Sequence, residues 1–336
     1  MSAFPTRTLG GDGPAITTLG FGAWAIGGEW TYGWGPQDDD RSIAAIHRAL
    51  ERGVSWIDTA GVYGLGHSER VVARALRGLS ERPLVFTKCG MVWHDQPDGV
   101  PRPNLRLAEI RAQCEDSLRN LGVERIDLFQ FHWPDVLTGT PVEESWGVMA
   151  DLVAEGKVRW AGVSNFDLDL LSRCEPILHV DSLQPILNPV DRAAAELLPW
   201  CRDHGTGVIA YSPMMSGLLT ERFSHERLAA LDEGDWRRGP AGAAWFTEPA
   251  FTRNLALRDA LAPVAQRHGV STGEAAIAWV LAWPGVTGAI VGARDAAQVD
   301  GWIGAGALTL DDADLDEIAA AIEATGAGVG PARPGA

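Results

Sequence analysis

The chain has 336 residues, of which 46% are hydrophobic, and this length suits one large α/β barrel or two ordinary domains. Its formal net charge of −16 argues against nucleic-acid binding through a basic face, because phosphate groups require concentrated Lys and Arg. The first residues lack the apolar core of a signal peptide, and no later run is long enough to cross a bilayer, so we expect a cytoplasmic protein with no membrane partner.

Apolar strands alternate with amphipathic helices along most of the chain, after a small hairpin expected within residues 1–20. Strands are predicted at about residues 18–23, 54–58, 84–88, 126–131, 158–163, 182–184, 207–210 and 288–291. Helices are predicted at about residues 41–52, 68–79, 107–121, 146–152, 168–174, 193–204, 254–268 and 313–324, and one more begins with the capping box of Ser271 and Glu274. Strands that are each followed by a helix predict a (β/α)8 TIM barrel, here with an N-terminal hairpin and extra C-terminal helices.

The barrel is expected to be a single domain over residues 1–336, with an ordered core at about 6–324 and a flexible tail at 325–336. Residues 217–252 are predicted to form a long irregular insert. A doubly wound sheet is the competing fold, but it would place a Gly-rich phosphate turn between its first strand and first helix. No such turn opens a helix in this sequence, so the barrel is the favoured fold.

Two scarce residue types carry information about chemistry. The cysteines Cys89, Cys114, Cys174 and Cys201 are widely spaced and form no Cys-x-x-Cys pair, which predicts buried free thiols. The sequence has 28 Lys and Arg residues, and Lys88 is one of only two lysines among them. An ammonium group can be desolvated and can tune a neighbouring group, which a guanidinium does badly.

Four ionisable residues are expected at one mouth of the barrel. Asp58, Lys88 and His132 end the second, third and fourth strands, and Tyr63 lies in the loop after the second. Because the carboxyl ends of barrel strands face one side, we expect these four residues, which we call the tetrad, to lie together. An ammonium beside Tyr63 favours the phenolate and should lower the pKa of Tyr63 toward working pH. Asp58 would pair with Lys88, and His132 could hydrogen-bond a substrate oxygen, which suits protonation of a carbonyl oxygen as hydride reaches its carbon.

Each tetrad residue taken alone has a simpler structural interpretation, as a loop cap, a packing residue or a core histidine. Their joint placement after adjacent strands favours a functional site. A metal-dependent barrel hydrolase would need clustered His and carboxylate ligands, commonly a His-x-His after an early strand, and the sequence has none. We therefore expect no metal.

Six segments resemble the signatures of the aldo-keto reductase family, in the same order along roughly residues 6–310. They are Trp56–Gly64, Phe86–Gly90, Asp127–Asp135, Gly162–Phe166, Tyr211–Pro213 and Ile290–Arg294. The resemblance implies a (β/α)8 fold and reversible reduction of aldehydes or ketones with a nicotinamide cofactor, usually NADPH, and no metal. It assigns the catalytic roles to the tetrad. The alternative within the same fold is a cofactor-binding regulatory module that turns over slowly, and the intact tetrad weighs against it.

The resemblance also implies a set of cofactor-binding residues. Those expected to hold the nicotinamide are Ser164, Asn165 and Gln184, which would bond its carboxamide, with Tyr211 stacked on the ring. Gly22, at the end of the first strand, is also expected to bind the cofactor. Those expected along the pyrophosphate are Ser212, Met214, Ser216, Gly217 and Leu219. Those expected at the adenosine end are Gly292, Ala293, Arg294 and Gln298. A guanidinium beside a helix start can grip phosphate, so Arg294 favours NADP over NAD.

Three positions depart from the usual family pattern on the cofactor side. Met214-Met215 replaces Leu-Gly, Leu187 stands where a Tyr is common, and Trp302 replaces an Asn near the adenine. NAD is therefore retained as a possible cofactor.

Indole rings are abundant in the loops after the predicted strands. Such rings are typical of a pocket for an apolar or planar carbonyl substrate, although several could equally pack the core or the loops. Among these indoles, Trp24 and Trp133 are the preferred pocket residues. The sequence does not specify the physiological substrate, the favoured direction or the oligomeric state.

Overall fold

The computed structural model describes residues 4–94, 96 and 98–335. Its strands are β1 (Thr6–Thr8), β2 (Ala15–Thr17), β3 (Leu19–Gly22), β4 (Trp56–Asp58), β5 (Leu84–Cys89), β6 (Met91–Val92), β7 (Arg102–Pro103), β8 (Ile126–Phe131), β9 (Val158–Ser164), β10 (Ser182–Gln184), β11 (Gly207–Ala210) and β12 (Val286–Gly292). Its α-helices are α1 (Asp39–Glu51), α2 (His67–Ala75), α3 (Leu107–Leu121), α4 (Val142–Ala154), α5 (Leu168–Cys174), α6 (Leu198–His204), α7 (His225–Ala229), α8 (Ala243–Phe246), α9 (Ala250–Ala260), α10 (Ala262–His268), α11 (Thr272–Leu281), α12 (Ala296–Asp300) and α13 (Asp312–Thr325).

Eight parallel strands close into a barrel in the order β3-β4-β5-β8-β9-β10-β11-β12 and back to β3. Helices connect successive strands, so the predicted (β/α)8 fold is confirmed. The predicted N-terminal hairpin is the antiparallel pair of β1 and β2. A second small antiparallel pair, β6 with β7, follows the third barrel strand. In such a barrel the carboxyl ends of the strands form one face, where catalytic residues gather.

A tryptophan fills the interior of the barrel. Trp56 is fully buried, and its indole N–H donates to the backbone oxygen of Thr17 at 2.8 Å. A Cβ on Gly20 would lie only 2.3 Å from the Trp56 ring, and one on Gly288 would lie 3.1 Å from it. Glycine on β3 and on β12 therefore makes room for the indole, and Leu9 and Ile16 of the N-terminal hairpin lie in the same interior cluster.

The outer helices follow the sequence pattern closely. Helix α3 buries Ile110, Cys114 and Leu121 on one face and ends at Gly122, whose φ of 64° lies in the left-handed region. This left-handed end is the usual way in which glycine terminates a helix. The predicted capping box at the start of α11 is also present.

Some predicted elements differ in detail from the structure, and the helix expected at 193–204 is a 3₁₀ helix at Ala193–Leu197 followed by α6. The single helix expected at 254–268 is two helices, α9 and α10, because Pro263 near the start of α10 has no N–H to continue the preceding turn. The insert at 217–252 is not irregular throughout. It contains α7, α8 and two 3₁₀ turns at Trp236–Arg238 and Pro240–Gly242.

The segment after α13 packs against the loop that follows β10. The buried Arg192 side chain donates to the backbone oxygens of Gly330 at 3.2 Å and Ala327 at 3.3 Å. The Arg192 backbone N–H donates to the oxygen of Val329 at 3.0 Å. This part of the C-terminus has specific partners, and the flexibility expected for 325–336 stays a prediction.

All four cysteines are buried and free, as predicted. Burial raises the pKa of Cys114, Cys174 and Cys201 to about 12 each, and that of Cys89 well above its usual value. In the part of the chain that the structure describes, no helix has both the length and the apolar character needed to span a membrane.

Candidate active site

The fold brings the tetrad together at the carboxyl face of the barrel. Asp58 is the last residue of β4, Lys88 lies near the end of β5, and His132 directly follows β8. These three strands are neighbours in the barrel, and Tyr63 returns to them from the loop after β4. The adjacency follows from the parallel topology, which places consecutive strand ends side by side.

Lys88 and Asp58 form a buried ion pair. The side chains are 0% and 4% exposed, and Lys88 Nζ donates to Asp58 Oδ2 at 2.5 Å. Nζ also donates to the backbone oxygen of Thr59 at 3.0 Å and to the Tyr63 hydroxyl at 3.4 Å, so each ammonium N–H has an acceptor. Asp58 Oδ1 accepts from Gln184 Nε2 at 2.8 Å.

Burial raises the pKa of Asp58 and lowers that of Lys88, while the attraction between the two charges opposes both changes. Opposite charges in direct contact, with hydrogen bonds for the remaining polar atoms, satisfy the conditions under which a buried ion pair persists. We assign both residues their charged forms at neutral pH.

The predicted lowering of the Tyr63 pKa is wrong in this structure. Burial raises the pKa of Tyr63 well above its usual value, and the charge of Asp58 and the proximity of Tyr211 act in the same direction. The physical reason is that Asp58 neutralises Lys88 at 2.5 Å, whereas the ammonium is 3.4 Å from the phenol oxygen, which is long for a hydrogen bond. Tyr63 is therefore a neutral phenol that carries a proton to donate.

The His132 ring stands edge-on to the Tyr63 ring, with centroids 5.5 Å apart and planes at 78°. Burial, with the nearby charge of Lys88, lowers the pKa of His132 well below its usual value. The imidazole is therefore neutral at physiological pH, and it can offer one N–H to an oxygen but cannot supply a charge.

A polar network next to the tetrad contains the residues expected to bind the nicotinamide carboxamide. Asn165, at a left-handed φ of 61°, donates through Nδ2 to Ser164 Oγ at 3.1 Å and to the His132 backbone oxygen at 3.0 Å. Asn165 Oδ1 accepts from the Tyr211 hydroxyl at 2.9 Å. Ser164 Oγ donates to the Gln184 backbone oxygen at 2.7 Å. The structure thus brings these four residues together around the ends of β9, β10 and β11.

The loop after β11, expected along the pyrophosphate, has unusual backbone geometry. Ser212, Met215 and Ser216 have φ values of 53°, 46° and 52°, in a region that side chains rarely adopt. Asn188 Nδ2 holds the loop by donating to the Ser212 oxygen at 3.1 Å. Strained residues of this kind cluster at ligand sites. Leu219, predicted with this group, is fully buried in the core, so its side chain does not face the loop surface.

The first and last barrel strands meet beside the tetrad. Gly22 of β3 is in register with Asp58 of β4 on one side and with Gly292 of β12 on the other. A Cβ on Gly22 would lie 2.8 Å from Ile290 Cγ2. Glycine at position 22 therefore leaves room for the Ile290 side chain where the two strands meet.

The residues expected at the adenosine end surround the start of α12. The Arg294 backbone N–H donates to Gln298 Oε1 at 2.9 Å, and Ala293 is buried. Arg294 Nε donates to Gln37 Oε1 at 2.7 Å, so its guanidinium faces the loop that precedes α1. Sequence reasoning missed Gln37, because no pattern in the sequence relates two residues 257 positions apart.

Aromatic rings line the mouth above Tyr63. The ring centroids of Trp30 and Trp24 lie 6.0 Å and 6.5 Å from that of Tyr63, and Trp236 of the insert lies 5.4 Å from Trp24. Trp133, preferred on sequence grounds, is 43% exposed and makes no ring contact with the described residues. The structure thus puts Trp24 at the tetrad and adds Trp30, which was not among the preferred pocket residues.

Gln130 is a second residue that sequence reasoning missed. It is fully buried in β8, and its Oε1 accepts from Gln184 Nε2 at 3.4 Å. Its Nε2 has no hydrogen-bond partner among the described residues, and its amide beside Asp58 weakly opposes the burial that raises the pKa of that carboxyl. The only signal in the sequence is a polar side chain inside the apolar strand Ile126–Phe131.

A family model described as "Aldo/keto reductase family" matches residues 18–323. The chain belongs to the aldo/keto reductase family. It is 32% identical to aldo-keto reductase YhdN of Bacillus subtilis (strain 168), over 95% of this chain and 93% of that protein. It is also 32% identical to the NADH-specific methylglyoxal reductase of Escherichia coli (strain K12), over 94% of this chain and 98% of that protein. Among solved structures it resembles a glycerol dehydrogenase from Gluconobacter oxydans, with a TM-score of 0.85, 35% identity and 97% of each chain covered.

As a member of this family, the protein is an oxidoreductase that reduces carbonyl compounds with a nicotinamide cofactor, NADH or NADPH. The polar groups suit that cofactor. Among the described residues, none donates a hydrogen bond to Gln184 Oε1, so this oxygen is available to the NH₂ of a carboxamide. Within the same residues, no cluster of three or more His, Cys, Asp or Glu side chains is arranged to hold a metal ion.

Proposed function

We propose that this aldo/keto reductase reduces apolar or planar aldehydes and ketones, with Tyr63 as the proton donor and NADPH as the preferred cofactor. The observation that carries the proposal is the contact of Lys88 Nζ with both Asp58 and the Tyr63 hydroxyl, beside the amide network of Asn165 and Gln184. The Tyr63 phenol lies next to this amide network, which supports the proposal.

NADPH held beside Asn165 and Gln184 would supply a hydride from C4 of its nicotinamide to the carbonyl carbon. The two electrons of the carbonyl π bond move to the oxygen, which takes the proton of the Tyr63 phenol and becomes the alcohol. Tyr63 is left as a phenolate. Its negative charge then lies beside the Lys88 ammonium, which has Asp58 behind it to hold its position. Water must return a proton to Tyr63 before the next turnover.

His132, Trp24 and Trp30 position the substrate. A neutral His132 can donate its single N–H to the carbonyl oxygen from the side of the Tyr63 ring. Trp24 and Trp30 offer flat apolar walls next to the same ring. These contacts support a substrate with an apolar or planar group attached to the carbonyl carbon.

The preference for NADPH is the finer part of the proposal. Its support is Arg294, a half-buried guanidinium beside the start of α12 that can bind the 2′-phosphate of NADPH. The Escherichia coli relative is named as NADH-specific, so relatives of this chain differ in this property. We also propose a cytoplasmic location, because buried free thiols suit a reducing compartment.

The test is the Tyr63→Phe variant, assayed by NADPH oxidation at neutral pH with a panel of simple aldehydes and ketones. We expect activity to fall by about 10²- to 10⁴-fold, the usual contribution of a general acid. Cofactor affinity, measured by quenching of tryptophan fluorescence, should stay unchanged. Tyr32→Phe is the matched control and should keep its activity. Full activity of Tyr63→Phe would contradict the mechanism, and tight cofactor binding with negligible turnover by the unaltered protein would favour a regulatory module.

A further inference from the structure

Gln37 and Arg294 bind each other reciprocally across the opening between the first and last barrel strands. Arg294 Nε donates to Gln37 Oε1 at 2.7 Å, and Gln37 Nε2 donates to the Arg294 backbone oxygen at 2.9 Å. Arg294 Nη2 also donates to the backbone oxygen of Pro36 at 2.5 Å. The guanidinium is therefore fixed along one edge by the loop that precedes α1.

Gln37 is itself held firmly. Its Nε2 donates to the buried Ser42 Oγ at 2.9 Å, and Ser42 Oγ donates to the Asp38 backbone oxygen at 2.8 Å. The next residue, Asp38, caps α1 by accepting from the Arg41 N–H at 2.8 Å. Gln37 thus lies between the start of α1 and Arg294. Because Gln37 is fixed by the first, it holds the second in one orientation.

The charge of Arg294 is not neutralised, unlike that of the two other guanidiniums near it. Arg41 pairs with Asp295 at 3.0 Å, and Arg237 pairs with Asp235 at 2.6 Å. Among the described residues, no ion pair includes Arg294, and its Nη1 makes no hydrogen bond. Burial, with the charges of Arg41 and Arg237, lowers the pKa of Arg294, and the carboxylates of Asp235 and Asp295 oppose this change without pairing with Arg294. The unused Nη1 edge is a place for an anion.

We propose that Gln37 is a positioning residue that sets the cofactor preference, because it orients Arg294 so that the Nη1 edge meets the 2′-phosphate of NADP(H). NAD(H) has a hydroxyl there and gains nothing from this orientation. The inference rests on the proposed NADPH preference and names the residue that controls it. A flexible arginine loses rotamer freedom when it grips a phosphate, and a side chain that is already held loses less.

The identity of the residue matters as much as its place. An amide offers an acceptor to the guanidinium and a donor to the backbone oxygen, and it leaves the positive charge intact. A carboxylate at position 37 could accept from Arg294 in the same way, but it would neutralise the guanidinium and repel the phosphate. Gln37→Ala and Gln37→Glu therefore test orientation and charge separately.

The experiment measures dissociation constants of NADP⁺ and NAD⁺, by quenching of tryptophan fluorescence, for the unaltered protein, Gln37→Ala, Gln37→Glu and Arg294→Ala. We expect Gln37→Ala to weaken NADP⁺ binding by about tenfold and Gln37→Glu by about 100-fold, with NAD⁺ binding changed less than about twofold. In steady state the KM for NADPH should rise while kcat at saturation is kept. Gln266→Ala, an exposed residue of α10, is the matched control. Circular dichroism establishes that each variant is folded.

The outcomes separate the two proposals. If Arg294→Ala weakens NADP⁺ alone while both Gln37 variants bind NADP⁺ as the unaltered protein does, the role of Gln37 is overturned and the NADPH preference stands. If Arg294→Ala leaves NADP⁺ binding unchanged, or weakens NADP⁺ and NAD⁺ equally, both are overturned. Equal loss of the two cofactors in Gln37→Ala would indicate general damage to the loop and would also overturn the inference.

Discussion

Replacing Lys88 with methionine separates the structural role of the buried ion pair from its chemical role. Methionine keeps much of the length of lysine but removes every N–H that Lys88 donates to Asp58, Thr59 and Tyr63. Asp58 is only 3% exposed, so Lys88→Met leaves an uncompensated carboxylate that keeps one hydrogen bond from Gln184. Breaking such a buried pair costs about 3–5 kcal/mol of unfolding free energy.

The double variant Asp58→Asn/Lys88→Met is the decisive comparison. It removes both buried charges, and replacing a whole buried pair with neutral groups of similar size is close to neutral for stability. We expect its unfolding free energy to return to within about 2 kcal/mol of the unaltered protein, which makes the two single changes strongly non-additive. Its carbonyl reduction should stay about 10²- to 10⁴-fold low, because no ammonium remains to stabilise the Tyr63 phenolate.

Urea unfolding followed by circular dichroism gives the stability of the four proteins in this cycle, and NADPH oxidation gives their activity. Recovery of both stability and activity in the double variant would refute the catalytic role of Lys88. Unchanged stability of Lys88→Met would instead refute the description of Asp58 and Lys88 as a charged buried pair.

Two further predictions concern the barrel core and its response to acid. Gly20→Ala should destabilise the protein by at least about 3 kcal/mol in urea unfolding, because the new methyl would lie 2.3 Å from the Trp56 ring; an unchanged midpoint would contradict this packing. His132 has a pKa well below its usual 6.5, so the unfolded chain takes up its proton first and stability falls as pH drops through about 6.5. Between pH 6.5 and 5.5 the unaltered protein should lose about 1 kcal/mol more than His132→Gln, and equal losses would exclude this linkage.

Much of the fold was predictable because its signals are local. The predicted helix at 107–121 agrees with Leu107–Leu121, and the predicted strand at 126–131 agrees with Ile126–Phe131. Periodicity fixes where each element lies, and the parallel topology then fixes which strand ends meet. The proximity of the tetrad residues was therefore predictable from their positions at or just after the ends of strands.

The parts that sequence reasoning missed depend on contacts between distant segments. Trp30 lies closer to Tyr63 than Trp24 does, although Trp24 was the preferred residue on sequence grounds. The turns of the insert are held by tertiary contacts, among them the bond from Arg237 to the Ser216 oxygen at 3.2 Å. The spacing of apolar residues along the sequence does not predict such contacts.

The predicted direction of the Tyr63 pKa change was wrong for a different reason. Its neighbours were predicted correctly, but the direction of the pKa change depends on which charge is nearer to which. Asp58 is 2.5 Å from the ammonium and cancels it, and burial of the phenol then decides the outcome. Residue identities were enough to predict which side chains form the site. The direction of each pKa change depends also on the distances between their charged atoms.

The burial of every thiol makes this protein a convenient host for spectroscopic probes. Each native sulfur is inside the fold and burial raises its pKa, so hardly any thiolate is present at neutral pH to react with maleimide reagents. A cysteine introduced on the exposed surface of the insert would be labelled alone, with the native cysteines left in place. Fluorescence from such a label would report directly on whether the insert moves when cofactor binds.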